Sequence, residues 1–268
     1  MSFYTSLSGL KNAQTELNVI AHNIANAETG GFKKSRVSFG DIIAGSATSN
    51  PKQMQGIGST VEAINQNFGI GPIEQTGGAL DIAVSGDGFF TTKSALTGQT
   101  FYTRNGAFEV DDNGFVNDGA NNRLQIIAPG DDPATDPPVD AQLPAANAGG
   151  AAFAGVTVGP DGTVKVSYAD GTNETIGTVA LAQFTSPTGL KQMGSSNWQS
   201  TGLSGAATYG LPGAGSFGNL MSGALERSNV DIAEELVGLI TAQRYFQANA
   251  KAIDTATQIS QTVLNMRS

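Results

Sequence analysis

The stretch that decides the fold is Asn18-Val-Ile-Ala-His-Asn-Ile-Ala-Asn-Ala-Glu-Thr-Gly-Gly-Phe-Lys33. It is typical of the end of a helix, because Gly30 and Gly31 accept the left-handed backbone on which helices commonly stop. A solvated amphipathic helix normally carries a dense charged face opposite its apolar stripe. Here that face consists of Asn, Ala, Thr and Gly, so the helix is expected to be enclosed by protein.

Apolar residues at both ends of the chain recur at alternating steps of four and three, which is a heptad repeat. The N-terminal repeat has Gln14 and Ala21 at two of its seven positions and large apolar residues at the other five, which are Phe3, Leu7, Leu10, Leu17 and Ile24. The C-terminal repeat has Gln243 and Ala250 at the matching positions, and its large apolar residues are Ile232, Leu236, Leu239, Phe246 and Ile253. We predict that these residues pack in a coiled coil or between subunits, and the spacing leaves a parallel and an antiparallel pairing equally open.

The C-terminal helix has a recognisable beginning. Asp231 followed by Glu234 is a plausible capping box, which satisfies the first backbone N–H groups of a helix. No proline interrupts the segment that follows, and the predicted helix runs from Asp231 to Arg267.

The middle of the chain has the pattern of a β-sheet. Segments such as 81–90 and 99–110 alternate apolar and polar residues, and pairs such as Asn105-Gly106 and Asn113-Gly114 separate them. Asn-Gly and Asp-Gly turns between alternating segments are strong hairpin signals. Residues 45–58 and 129–150 are polar or rich in Pro, Ala and Gly, which predicts surface loops.

The predicted fold class is therefore α+β, with paired terminal helices and a central all-β domain rich in hairpins. We assign residues 1–31 and 229–268 to a helical coiled-coil domain, residues 32–70 to an extended linker, and residues 71–228 to the β domain, with its loop at 129–150.

Composition excludes several classes of function. The 268-residue chain has a formal charge of −9, which argues against nucleic-acid binding, and it has no cysteine for disulfides or thiolate-metal sites. The sequence contains no run of about 18 apolar residues, so membrane insertion is not expected. It also lacks the apolar N-terminal run of a cleaved secretory signal.

No catalytic, cofactor or metal site is predicted. His22 is the only histidine, and Asp111-Asp112-Asn113-Gly114 lacks calcium-loop spacing and fits a hairpin turn better. Glu234 and Glu235 suit the positive end of a helix dipole. The basic cluster formed by Lys33, Lys34 and Arg36 is expected either to meet acidic groups of an adjacent subunit or to be solvated.

The sparse charge on both helices suggests that copies of the same protein surround them. If each subunit presents different faces to successive neighbours, the contacts are heterologous and build an open helical polymer. The alternatives are one intramolecular coiled coil on an ordinary domain, a monomeric binding module or adhesin, and an enzyme, for which no nucleophile–base pair is evident.

The quoted stretch resembles the N-terminal signature of the bacterial flagellar rod and hook proteins, and residues 228–253 resemble their second signature. Residues 80–90 and 102–108 resemble further family blocks. The signature positions are Asn23, Asn26, Thr29, Gly31, Phe32, Lys33, Asn229, Val230, Glu235, Gln243 and Arg244.

The start of the chain, residues 31–39 and residues 264–267 look most like hook proteins. The resemblance implies a structural subunit that self-assembles into the tubular hook, the flexible joint passing torque from rod to filament. It also implies other flagellar axial proteins at the ends of the tube, the hook cap and the type III export apparatus as partners, and export without a cleaved signal. The absence of a large outer domain near residue 129 resembles the distal rod protein of the basal body, which is the alternative.

Overall fold

A computed structural model describes residues 2–44, 55–133 and 135–266. Contacts divide the chain into two units. The helical unit comprises residues 1–27, 34–67 and 230–268, and the β unit comprises residues 28–33 and 68–229. The chain therefore passes between the units four times, and two of these crossings lie within the stretch predicted as a linker.

Helix α1 spans Ser2–Ala25 and ends earlier than the pair Gly30-Gly31. The backbone N–H of Asn26 is shared between the carbonyls of His22 and Asn23, and the Asn26 side chain donates to the same His22 oxygen at 2.9 Å. Asparagine competes in this way with helical hydrogen bonding, so the helix stops before the glycines.

Helix α2 spans Ile232–Asn265, close to the predicted bounds. The Asp231 carboxylate accepts hydrogen bonds from the backbone N–H groups of Ala233 at 2.8 Å and Glu234 at 3.2 Å. Asp231 is thus the N-cap, as the sequence predicts.

The two helices are antiparallel. A Cβ atom added to Gly9 would lie 2.6 Å from Asn249 Oδ1, and one added to Gly238 would lie 3.4 Å from Ile20 Cδ1. Residue numbers therefore increase along α1 in the direction in which they decrease along α2. By this register, residue 256 of α2 lies opposite the start of α1. The last two turns of α2 or so continue beyond it.

Two further strands complete the helical unit. β1 (Ser35–Ala44) and β2 (Gln55–Gln66) form an antiparallel pair with bulges after Ser38 and Ile42. The pair packs on α1, where Asn12 Nδ2 donates to Ser59 Oγ at 2.7 Å. Much of the segment predicted as a linker is therefore sheet, and the loop predicted at 45–58 falls mostly outside the described residues.

The β unit contains the remaining strands. They are β3 (Ile73–Gln75), β4 (Ile82–Ser85), β5 (Phe89–Ser94), β6 (Thr100–Thr103), β7 (Phe108–Val110), β8 (Val116–Asp118), β9 (Asn122–Ile127), β10 (Val139–Asp140), β11 (Phe153–Val158), β12 (Thr163–Tyr168), β13 (Asn173–Val179), β14 (Leu181–Gln183), β15 (Lys191–Gly194), β16 (Asn197–Gln199), β17 (Thr208–Gly210), β18 (Asn219–Ser222) and β19 (Ala224–Glu226). The α+β class predicted from the sequence is confirmed.

Thirteen of the described strands form one sheet, whose main path runs β11-β12-β13-β9-β5-β6-β16-β15. The pairs β4–β18 and β3–β19 are separate two-stranded sheets. All pairings are antiparallel, and the β7–β8 turn is the predicted hairpin at Asn113-Gly114. Within the 129–150 loop, β10 pairs with β9, so this segment is partly ordered as sheet.

Two groups of buried side chains form the core of the β unit. The larger one is aliphatic with Phe90, Phe108 and Tyr168, and the smaller one gathers aromatic rings around the fully buried Trp198. In the smaller group the rings of Tyr102 and Phe184 pack edge to face, with their centroids 4.7 Å apart. Such burial is the main stabilising term for a sheet of short strands.

Candidate assembly sites in the two units

The signature residue Asn23 joins three parts of the helical unit. Its side chain exchanges two hydrogen bonds with the backbone of Ser35, each 2.9 Å long, and donates to Glu235 Oε2 at 3.1 Å. Asn23 is 1% exposed and Glu235 is 4% exposed. A buried amide with its partners satisfied orders the segments that it links, here α1, the start of β1 and α2.

Lys34 supplies the counter-charge in the same cluster. Its Nζ lies 2.9 Å from Glu235 Oε1 and 3.0 Å from Glu234 Oε2. Partial burial lowers the pKa of Lys34, but the hydrogen bonds to Glu235 and Glu234 outweigh it and raise the pKa above 10.5. The first turn of α2 is therefore tied by charge to the strand that follows Lys34.

The preceding residue, Lys33, belongs to a different cluster in the β unit. Its Nζ lies 2.5 Å from Glu226 Oε1 and donates to the Gly69 carbonyl at 2.8 Å. The Gly71 N–H donates to the same Glu226 oxygen at 2.8 Å. Both charged side chains are fully buried, so a change that removes the carboxylate alone leaves buried positive charge uncompensated and is destabilising.

A second cation faces the same carboxylate. Arg104 Nη1 lies 3.4 Å from Glu226 Oε2, and Nη2 donates to the Gly86 carbonyl at 2.9 Å. Burial lowers the pKa of Lys33 despite its attraction to Glu226, and the neighbouring Arg104 charge adds to that lowering. One carboxylate thus holds two cations, which makes Glu226 the centre of the cluster.

The backbone around this cluster is close-packed. The Gly31 N–H donates to the Glu226 carbonyl at 2.8 Å, and Gly31 has a φ of 65°. A Cβ atom at Gly31 would overlap the backbone at Asn105, so both the dihedral angle and the space require glycine. Arg227 pairs with Glu28 and with Glu74 in the same region.

The expectation that Lys33, Lys34 and Arg36 meet an adjacent subunit or water is wrong for two of the three. Lys33 and Lys34 both pair with carboxylates of their own chain. The pattern missed this because Glu226, Glu234 and Glu235 are about 200 residues away in sequence.

The two helices bury few side chains completely within one chain. The buried helical side chains are Ala13, Ile20, Asn23, Glu235 and Ala242. The predicted packing residues Leu7, Leu10, Leu17, Ile24, Leu239, Phe246 and Ile253 are half-buried. Phe3 is 42% exposed, Ile232 45% and Leu236 48%, and the packing expected of the ten heptad residues, in a coiled coil or between subunits, stays a prediction. Small residues at the seam allow the close approach of the two helices.

The other signature residues are placed as follows. Phe32 is buried, Asn229 donates to the Gly69 carbonyl at 3.0 Å, and Thr29 accepts from the Phe32 N–H at 3.3 Å. Val230 is half-buried, whereas Gln243 and Arg244 are exposed on α2. Sequence reasoning missed Arg104 and Glu226, although each lies within or next to a block that resembles the family.

Three family models match the chain. Residues 3–33 match "Flagella basal body rod protein", residues 83–166 match "Flagellar hook protein FlgE/F/G D1 domain", and residues 221–266 match "Flagellar basal body rod FlgEFG protein C-terminal". The flagellar basal-body rod protein FlgG of Bacillus subtilis is 37% identical over 99% of this chain and 98% of its own length. The chain belongs to the flagellar rod and hook protein family.

Two further relatives show the span of this family. The rod protein FlgG of Borreliella burgdorferi is 33% identical over 99% of the chain and 98% of its own length. The hook protein FlgE of Salmonella typhimurium is 28% identical, with both chains covered completely. That alignment runs over 411 positions against the 268 residues of this chain, so the hook relative has a long segment without a counterpart here.

The three matched segments contain the central residues of both polar clusters. Asn23 and Lys33 lie in the first matched segment, Arg104 in the second, and Glu226 and Glu235 in the third. The cluster around Glu226 therefore contains one charged residue from each of the three matched segments, namely Lys33, Arg104 and Glu226 itself. Within the described residues, neither helix is long and apolar enough to cross a membrane.

Proposed function

We propose that this protein is a structural subunit of the bacterial flagellum that self-assembles into the tubular hook, the flexible joint between rod and filament. The observation that carries the proposal is the exposed apolar surface of α2. Val237 is 66% exposed, Val263 60% and Leu264 67%. Exposed apolar surface of this extent marks a protein interface.

Charge on α2 is too sparse to solvate that surface. From Leu236 to Met266 the helix carries only Arg244, Lys251 and Asp254 as charged side chains. Its last two turns have no α1 residue opposite them. Sister subunits are the partner that such a surface fits, because a helical homopolymer offers every copy the same complementary faces.

The other proposed partners are axial proteins at the two ends of the tube, the hook cap and the export apparatus. A structural role needs no catalytic residues. It is supported by relatives named as rod and hook proteins, which align over 99% and 100% of the chain.

The second candidate is the distal rod protein of the basal body. The length of the chain supports this candidate. The alignment with the Bacillus subtilis rod relative runs over 279 positions, whereas the alignment with the Salmonella hook relative runs over 411. Electron micrographs of cells that lack the gene separate the two functions. Basal bodies with complete rods and no hook support the hook, truncated rods support the distal rod, and complete flagella contradict both.

A variant tests the role of α2. Val263→Asp should leave the monomer folded, because Val263 has no α1 neighbour, and should abolish tubes, because a buried unpaired carboxylate costs several kcal/mol per subunit. Val263→Ala is the matched control and should still polymerise. If Val263→Asp forms tubes at the same critical concentration as the wild type, the exposed apolar surface of α2 no longer supports the proposed self-assembly.

A further inference from the structure

The large sheet of the β unit has two open edges. Among the described residues, β11 pairs with no strand except β12 and β15 with no strand except β16, and these strands end the main path of the sheet. The open part of β11 follows Phe153, whose N–H donates to the Ala145 carbonyl at 3.0 Å. Seven strand spacings of about 4.8 Å separate them, or roughly 34 Å. An open edge that is neither covered nor closed is a site where another chain can dock.

A groove lies at the β11 edge. It has a volume of ≈ 480 Å³, and its apolar walls include Val110, Pro144 and Phe153. Val110 is 40% exposed and Phe153 38%. The groove is also lined by two carboxylates, Asp111 and Asp112. We call this site the β11 groove.

The β11 groove is built on a fixed turn. Asp111 Oδ1 accepts hydrogen bonds from the N–H groups of Asn113 at 2.9 Å and Phe115 at 2.8 Å. The Gly114 carbonyl accepts from the Leu143 N–H at 2.7 Å, which joins the two walls. The site is therefore formed before any partner arrives.

A projecting patch lies at the β15 edge. Leu203 is 84% exposed and Met193 is 43% exposed, and Lys191 is exposed on the same strand as Met193. Thr201 Oγ1 donates to the Gly189 carbonyl at 2.6 Å and accepts from the Leu203 N–H at 3.1 Å, which holds this loop beside the start of β15. We call Lys191, Met193 and Leu203 the β15 knob.

We propose that the β15 knob of one copy docks in the β11 groove of the next copy. The inference rests on the proposed function and names the surface through which β units meet. Met193 and Leu203 supply apolar side chains for the apolar walls, and Lys191 supplies the charge opposite to Asp111 and Asp112.

Charge argues for this partner. The β unit carries sixteen acidic and seven basic residues, so two copies repel each other over most of their surface. A contact between copies is favoured where one of the two surfaces is locally positive. The β15 knob meets this condition, because it carries Lys191 and neither β15 nor β16 contains an acidic residue.

Position argues for an open polymer. The knob and the groove are at opposite edges of one sheet, so a copy that uses its knob still presents a free groove. Such a contact is heterologous and continues from subunit to subunit instead of closing into a dimer.

Disulfide trapping tests the contact, because the chain has no cysteine of its own. Full-length Met193→Cys is mixed with full-length Val110→Cys under polymerising conditions and then oxidised. We expect disulfide-linked dimers in the mixed tubes, since the Cα atoms must approach within about 7 Å for a bond. Each variant alone should give none, because the contact is heterologous.

The control pair is Leu96→Cys with Val110→Cys, since Leu96 is 89% exposed and lies outside both surfaces. Tubes in which the test pair links no better than this control overturn the inference while leaving the proposed function standing. Self-linking of Met193→Cys also overturns it, because the contact would be symmetric. Absence of tubes from the wild-type protein removes the proposed function and the inference with it.

Charge reversal gives a second measurement. Lys191→Glu should raise the critical concentration about two- to fivefold, the range expected of an exposed ion pair, and Asp112→Lys in the same chain should restore it. Equal critical concentrations for wild type and Lys191→Glu contradict the charge complementarity on which the pairing is argued.

Discussion

Lys33 and Lys34 are neighbours in the chain, yet each pairs with carboxylates in a different unit. Lys33 Nζ lies 2.5 Å from Glu226 Oε1 in the β unit, and Lys34 Nζ lies 2.9 Å from Glu235 Oε1 in the helical unit. One of the four points at which the chain passes from one unit to the other therefore lies between two residues that are each held by an ion pair. Each anchor can be tested separately.

Removing Glu226 should destabilise the β unit far more than removing Lys33. Glu226→Gln leaves Lys33 buried without its counter-charge and leaves Arg104 with only the charge of Asp87, which should lower the free energy of unfolding by about 3–5 kcal/mol. Lys33→Met leaves Arg104 with its carboxylate and should cost less than about 2 kcal/mol. Urea unfolding followed by Trp198 fluorescence measures both, and equal losses would contradict the central position of Glu226.

Replacing Asn23 should loosen the helical unit. Asn23→Ala removes three hydrogen bonds and leaves the backbone of Ser35 unsatisfied, so the free energy of unfolding should fall by about 1–3 kcal/mol. Asn18→Ala is the control, since Asn18 is exposed on the same helix, and its effect should stay within about 0.5 kcal/mol. Circular dichroism at 222 nm during urea unfolding reports the helices, and a match between the two variants would count against the role of Asn23.

Gly106 should not tolerate a side chain. A Cβ atom at this position would overlap the carbonyl oxygen of Ile82, which is fixed in a strand. Gly106→Ala should therefore lower the free energy of unfolding by about 2–4 kcal/mol. Gly119→Ala has open space around it and should be neutral or slightly stabilising. Wild-type stability of Gly106→Ala would show that the strand moves aside.

Asp140 should make stability depend on acidity. Partial burial raises the pKa of Asp140, but hydrogen bonds from Gln125 at 2.7 Å and Arg123 at 2.9 Å outweigh it and lower the pKa below 3.8. A carboxyl with a lower pKa in the folded state stabilises the protein above the unfolded pKa and ceases to do so as pH falls through the folded value.

The comparison of wild type with Asp140→Asn checks this dependence. The wild type should be the more stable protein at pH 6, and the difference should vanish as the pH falls below 3.8. Thermal unfolding across that pH range gives the difference directly. A difference that stays constant with pH would mean that ionisation of Asp140 does not contribute.

Part of this protein follows from local sequence alone. Asp231 caps α2 because its carboxylate reaches N–H groups two and three residues away, and the turn at Asn113-Gly114 is favoured because Gly114 accepts a positive φ of 80°. The α+β class and the resemblance to the flagellar rod and hook family follow from such local patterns, repeated along the chain.

The tertiary structure alone decided which surfaces meet. The heptads left a parallel and an antiparallel pairing equally open, and the structure pairs the helices antiparallel with close approaches at Gly9 and Gly238. Lys33 and Glu226 are 193 positions apart, and no periodicity links them. Short-range preferences act through a few neighbouring bonds, whereas burial selects partners only once distant segments have come together.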